Sequence, residues 1–202
     1  MVDTSKAAQR DEFRLRRANL DSSAVLDAGS GLRNVGFQLI AELSLPYGQQ
    51  SIAGYLPVQN EPSVLELLTG LHKAGHSVIV PICEADYQLS WTHWQPGIAL
   101  QRSTRAWVKE PIGERLGISA LSDVGLILVP ALALDASGAR LGQGGGYYDR
   151  FLAQLSETSF VPVRAGVVYA EEFRQAGAFV TEEFDQPVDY ALTPEFFRQL
   201  EC

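Results

Sequence analysis

Long apolar runs are missing from this chain of 202 residues. Nowhere do about eighteen apolar residues follow one another, as a membrane-crossing helix requires, so a spanning segment is excluded. The first residues, Met1-Val2-Asp3-Thr4-Ser5-Lys6, lack the apolar stretch of a secretory signal, and export by that route is not expected. Cysteine is nearly absent: Cys83 and Cys202 have no paired spacing for a disulfide framework or a zinc site, and a reducing cytoplasm fits best. Positive charge is scarce as well. The 16 basic residues stand against 24 acidic ones, and a net charge of -8 opposes broad attraction to nucleic acid or anionic lipid. A small anion in a local basic pocket stays open, because Lys6, Arg10, Arg14, Arg16 and Arg17 crowd into one stretch.

What is present is ordinary globular composition, 46% hydrophobic and 20% charged. The length suits one domain over residues 1–202. No internal repeat, low-complexity segment or linker stands out. Ser5 to Leu26 is rich in Ala, Arg, Leu and Glu without Gly or Pro, which predicts a helix; Gly29-Ser30-Gly31 is expected to break it before a second helix over Leu32 to Leu43. Ser51 to Leu56 reads as a strand, Glu61 to Lys73 as a helix and Val78 to Val80 as a buried strand. The stretch from Tyr87 to Gly113 holds all three tryptophans and suggests short antiparallel strands around a functional loop.

Val124 to Val129 is apolar throughout, as a strand covered on both faces must be. A turn at Asp135 to Gly138 and a glycine-rich loop follow, then a helix from Tyr147 to Leu155. Pro162 to Val168 and Val188 to Leu192 supply further strands, and Pro194 to Leu200 a closing helix. The alternation predicts an α/β fold, a three-layer α/β/α domain with a mixed, largely parallel sheet.

The loop Arg140-Leu141-Gly142-Gln143-Gly144-Gly145-Gly146-Tyr147-Tyr148-Asp149 is the most informative stretch, with four glycines in five positions ahead of a helix. Glycine lets backbone N–H groups approach a phosphate, and the helix N-terminus adds partial positive charge. A Rossmann fingerprint would need glycine where Tyr147 stands, and a P-loop would need a lysine that the segment lacks. Glycine density alone fits a flexible surface turn equally well.

With these flanks the sequence resembles the 5-formyltetrahydrofolate cyclo-ligase family. Its signature runs close to Arg-Leu-Gly-x-Gly-x-Gly-Tyr-Tyr-Asp, preceded by Val-Pro and a turn, here Val129-Pro130 and Asp135 to Gly138. Lys6 and Arg10, Tyr55-Leu56 with Glu61, Glu110-Pro111, and Asp185 with Val188-Asp189 and Thr193 continue the likeness in family order over nearly the whole chain. The chain departs from some members at Gly145, where they carry lysine, and at Gln143, where others have a basic or aromatic residue.

The resemblance implies that ATP phosphorylates the formyl oxygen of 5-formyltetrahydrofolate, that N10 attacks the activated carbon, and that 5,10-methenyltetrahydrofolate, ADP and phosphate result. Such chemistry needs backbone donors, cations and Mg²⁺ more than a nucleophilic side chain. By the resemblance, Lys6 and Arg10 contact ATP, together with Arg140, Leu141, Gly142, Gln143, Gly144, Gly145, Gly146, Tyr147 and Tyr148. Arg140, Gly144, Tyr147 and Asp149 carry the catalytic role. Leu56, Glu61 and Trp107 contact the folate, as do Gln143 to Tyr147, and Asp149 and Asp185 are the Mg²⁺ carboxylates. Each has a plainer reading: a solvated basic face for Lys6 and Arg10, a helix start for Glu61, a core tryptophan for Trp107, a helix first turn for Asp149 and a loop acid for Asp185. His72 and His76 lack a third ligand and read as helix-end residues.

The partners implied are ATP and the folate, with no nucleic acid or membrane, in a cytoplasmic monomer or weak homodimer. The competing readings are an α/β enzyme acting on phosphorylated sugars or coenzyme A thioesters, and a folate- or nucleotide-binding paralogue without turnover.

Overall fold

The computed structural model describes residues 5–45, 51–182 and 184–201. Cys202 and Pro46 lie outside them.

Helix α1 spans Lys6–Ala18, its first turn capped by the Ser5 hydroxyl, which accepts the Ala8 N–H. Helix α2 spans Ser22–Leu43. The break between them falls at Asn19 to Asp21, where Asp21 accepts the Ala24 N–H at 2.8 Å, and Gly29-Ser30-Gly31 lies inside α2. Gly31, like Gly36 further along the helix, serves close packing: a Cβ on Gly31 would meet the Pro194 carbonyl oxygen at 2.5 Å, and one on Gly36 would strike Leu67. The expected break is therefore corrected, because the intimacy of α2 with its neighbours outweighs the helix-weakening tendency of glycine.

Strand β1 (Ser51–Ala53) is shorter than the sequence suggests, and helix α3 (Leu65–Lys73) begins later. Between them the Tyr55 hydroxyl donates to the Pro62 carbonyl and the Val58 N–H to the Glu61 carboxylate, so Glu61 belongs to a loop and not to a helix start. Next come β2 (Val78–Cys83), β3 (Leu89–His93), β4 (Leu100–Arg102) and β5 (Lys109–Pro111), then β6 (Val124–Pro130), β7 (Ala133–Asp135) and β8 (Arg140–Leu141). Helix α4 (Tyr147–Ser156) follows, with β9 (Val163–Val167), β10 (Phe173–Arg174), β11 (Tyr190–Leu192) and β12 (Phe197–Gln199). The expected closing helix is the strand β12. Thr193 Oγ1 accepts the N–H groups of Glu195 and Phe196 and turns the chain back, so that β12 pairs antiparallel with β11.

The main sheet has the order β12-β11-β9-β6-β1-β2-β3, parallel from β11 to β2 and antiparallel at both edges. Alternation along β6 makes the two cores. Leu126 and Leu128 pack with Leu32, Leu39, Leu67 and Leu71 of α2 and α3, while Ile127 and Val129 pack with Phe151, Leu152 and Leu155 of α4. The three-layer α/β arrangement is thus present. Helix α1 lies apart, its Phe13 buried with Leu132, Ala133 and Leu141 against a small sheet ordered β10-β7-β8.

Asp135, fully buried, fastens this region. Its Oδ1 accepts from the N–H groups of Ser137 and Ala139 and from the Ser137 hydroxyl, and its Oδ2 from the N–H groups of Gly177 and Ala178. The Val188 N–H donates to the Gly138 carbonyl on the same turn. No helix among the described residues is long and apolar enough to cross a membrane.

Candidate active site

The C-terminal ends of parallel strands leave a crevice that commonly holds ligand. Here β6 ends at Pro130, and that residue helps line a cavity of about 220 Å³. One wall is the glycine-rich loop from Gly142 to Gly146 with Tyr147, Tyr148, Asp149 and Arg140. The opposing surface is mostly apolar: Tyr55, Leu56, Val58, Pro81, Leu89 and Val108. An apolar slot facing a polar, glycine-lined edge suits a flat ring that carries a phosphorylated or anionic group.

Local sequence explains the loop. Gly144 and Gly146 have φ of 96° and 74°, a backbone region that side chains with a Cβ rarely enter. Gly146 stands at the N-cap of α4 with no side-chain cap among the described residues, so the first N–H groups of that helix are open to a ligand. Helix α1 props the loop from outside: Arg10 Nε donates to the Gly142 carbonyl at 3.0 Å and Arg14 Nη2 to the Gln143 carbonyl at 2.6 Å. Gln143 Nε2 donates to Glu61 Oε1 at 3.2 Å, joining the loop to the segment after β1.

Charges at the edge are paired. The buried Arg140 guanidinium contacts Asp149 Oδ1 directly, and the Gln186 N–H reaches the same oxygen at 3.4 Å. The segment that carries Asp185 is thereby brought to Asp149. Lys6 Nζ lies 2.5 Å from Asp185 and 2.6 Å from Glu182. Burial disfavours the Lys6 charge, but hydrogen bonds from the ammonium to the two carboxylates outweigh it and its pKa is raised. Among the described residues no three of His, Cys, Asp and Glu cluster as metal ligands.

Burial raises the pKa of Glu61, against the lowering effects of the Val58 N–H, Gln143 and Arg17. Burial also raises the Tyr148 phenol, whose hydroxyl is enclosed without a hydrogen-bond partner among the described residues. The Cys83 thiol is pushed up to about 11 by burial and then by the negative charge of Glu110.

Of the residues singled out in the sequence, Leu56, Glu61, Arg140, Gly142 to Gly146, Tyr147, Tyr148 and Asp149 meet around this one cavity. Arg10 does not line it but holds the Gly142 carbonyl of the loop, and Lys6 and Asp185 pair with each other outside its lining. Leu141 does not line it; its side chain is buried under α1. Trp107 is 91% exposed, with the Arg102 guanidinium 4.9 Å from its ring centre, which rules out a core tryptophan. It borders a neighbouring groove that shares Leu56, Val58, Val108 and Lys109 with the cavity. Sequence reasoning missed Tyr55, Pro81, Cys83 and Leu89 as lining residues and gave Glu110 no role. The β2 and β3 residues carry apolar side chains that look like core in a sequence, and only strand pairing turns them toward the loop.

The model of the 5-formyltetrahydrofolate cyclo-ligase family matches residues 2–194. The chain is 32% identical to the 5-formyltetrahydrofolate cyclo-ligase of Mycolicibacterium smegmatis over 151 residues, 72% of this chain and 74% of that one. It is 27% identical to the enzyme of that name from Haemophilus influenzae over 190 residues, 93% and 97% of the two chains. The solution structure of Aquifex aeolicus 5,10-methenyltetrahydrofolate synthetase superposes with a TM-score of 0.76 at 26% identity, covering 98% of this chain and 93% of that one.

Proposed function

The chain belongs to the 5-formyltetrahydrofolate cyclo-ligase family, and on that premise we propose that it is the cyclo-ligase itself: it closes 5-formyltetrahydrofolate to 5,10-methenyltetrahydrofolate with ATP and Mg²⁺, releasing ADP and phosphate. The whole chain acts as one catalytic domain, in the cytoplasm, as a monomer or weak homodimer. The observation that carries the reading is the cavity, where an apolar slot meets a glycine loop and an uncapped helix N-terminus. A pterin ring fits the first, and a transferring phosphoryl group the second.

In this reading the loop N–H groups and the N-terminus of α4 hold the γ-phosphate against the formyl oxygen. Arg140 stabilises the charge that moves there, and Tyr147 closes the pocket against water. Lys6 and Arg10 reach the nucleotide phosphates from α1. Glu61 and Leu56 take the folate ring, with Trp107 at the mouth beside them. Asp149 and Asp185 fit Mg²⁺ as a donor set: both offer hard carboxylate oxygens, and the Gln186 N–H bond to Asp149 brings their segments to one edge. Bound there with nucleotide, the metal would neutralise phosphate charge, and Arg140 and Lys6 would give up part of their hold on the two carboxylates.

The test is near-ultraviolet absorbance of protein mixed with 5-formyltetrahydrofolate, ATP and Mg²⁺. The methenyl chromophore is expected only with all components present. Binding of ATP and folate without product would instead leave a paralogue that has lost turnover.

A further inference from the structure

Among the described residues three carboxylates line the cavity, and two of them are held by hydrogen-bond donors. Glu61 accepts from the Val58 N–H at 3.1 Å and from Gln143 at 3.2 Å. Asp149 is held by Arg140 and the Gln186 N–H. Glu110 differs. It is 3% exposed, its Oε1 lies 3.6 Å from Arg115 Nη2, and its Oε2 is buried without a hydrogen-bond partner among the described residues. Leaving a buried acceptor unmatched costs stability, and more for a charged group, so such an atom in a ligand cavity calls for a reason.

Its surroundings supply one. Glu110 sits beside Cys83, which shares a hydrogen bond with Tyr147 at the head of α4. Glu110 and the glycine loop thus line one cavity, the one in which the cyclo-ligase reading brings the formyl group to the phosphate.

The cyclisation needs a proton acceptor. The N10 lone pair forms a bond to the formyl carbon. The bond from that carbon to the phosphorylated oxygen breaks, its electrons leaving with phosphate. The hydrogen on N10 leaves as a proton, since the methenyl product carries none there. We propose that Glu110 is the catalytic residue that takes this proton, its unpartnered Oε2 accepting the N10–H of the bound folate. The inference rests on the cyclo-ligase reading and adds to it a base that the family resemblance does not assign.

Glu110→Gln keeps the shape and removes the basicity. Single-turnover formation of methenyl product is expected to fall by roughly 10²-fold or more, while the affinity for 5-formyltetrahydrofolate without ATP changes little. Glu110→Asp, which keeps a carboxylate, should retain more of the rate than Gln, and added formate should restore part of the rate of Glu110→Ala. Undiminished single turnover in Glu110→Gln overturns the role, as does an Asp variant no faster than Gln. If the unaltered protein forms no methenyl product, the cyclo-ligase reading fails and the role of Glu110 with it. Turnover by the unaltered protein beside an equally fast Gln variant removes the role alone.

Discussion

The two ends of α1 present cations in opposite circumstances. At the C-terminal end Arg17 is 4% exposed; its Nε and Nη2 each lie 2.7 Å from a Glu172 oxygen, and Nη2 also donates to the Ala131 carbonyl at 2.6 Å. At the N-terminal end Lys6 holds Asp185 and Glu182, whose side chains are 17% and 49% exposed. A planar, bidentate pair in the interior fixes the helix in place, because removing one partner strands the other. A point charge shared between two wetter carboxylates is a replaceable contact, of the kind a nucleotide phosphate can take over. The same helix is anchored at one end and available at the other.

The comparison breaks most visibly at the anchored end. Arg17→Ala is expected to lower the unfolding free energy in urea by about 3–5 kcal/mol, since Glu172 would be left buried without its charge partner, with the Tyr169 N–H as a neutral donor. A loss below about 1 kcal/mol would put the two ends on the same footing. Lys6→Ala should change stability by no more than about 1 kcal/mol and raise the KM for ATP about tenfold, equivalent to about 1.4 kcal/mol of binding. Steady-state kinetics showing unaltered ATP dependence with disturbed folate binding would contradict that division.

The smallest effect sharpens the contrast at the cavity. The pKa of Glu61 is raised by burial, so the stability its protonated form contributes is fully present below the ordinary glutamate value and is lost as pH rises through the higher folded value. Unfolding measured over a pH series should show this loss in the weakly acidic range, and Glu61→Gln should lack it. Identical pH dependence in the two proteins would remove Glu61 as the source.

Where structure follows local chemistry, the sequence was a sound guide. The apolar run of β6, the turn at Asp135 and the glycine loop into α4 each depend on residues within a few positions of one another. The resemblance supplied Glu61 and Arg140, which do meet at the cavity. The failures share one cause, dependence on distant partners. Gly31 looks like a breaker until Pro194 packs against the helix. Phe197 to Gln199 has no strand signature of its own and is made a strand by Tyr190 to Leu192. Glu110 stands out in the sequence only as part of the family likeness, and the fold is what encloses it.

The segment from Gly177 to Val188, which supplies both carboxylates to Lys6, starts on Asp135 and finishes on Gly138. It is a handle bolted at both ends to one bracket. A longer segment between the two attachments would cost about 0.6 kcal/mol of closure entropy per doubling, provided the Gln186 contact to Asp149 is kept. Its acidity is less free: Glu182 can be changed to retune the grip on the first turn of α1, whereas Asp185 holds Lys6 and is also a carboxylate proposed for Mg²⁺.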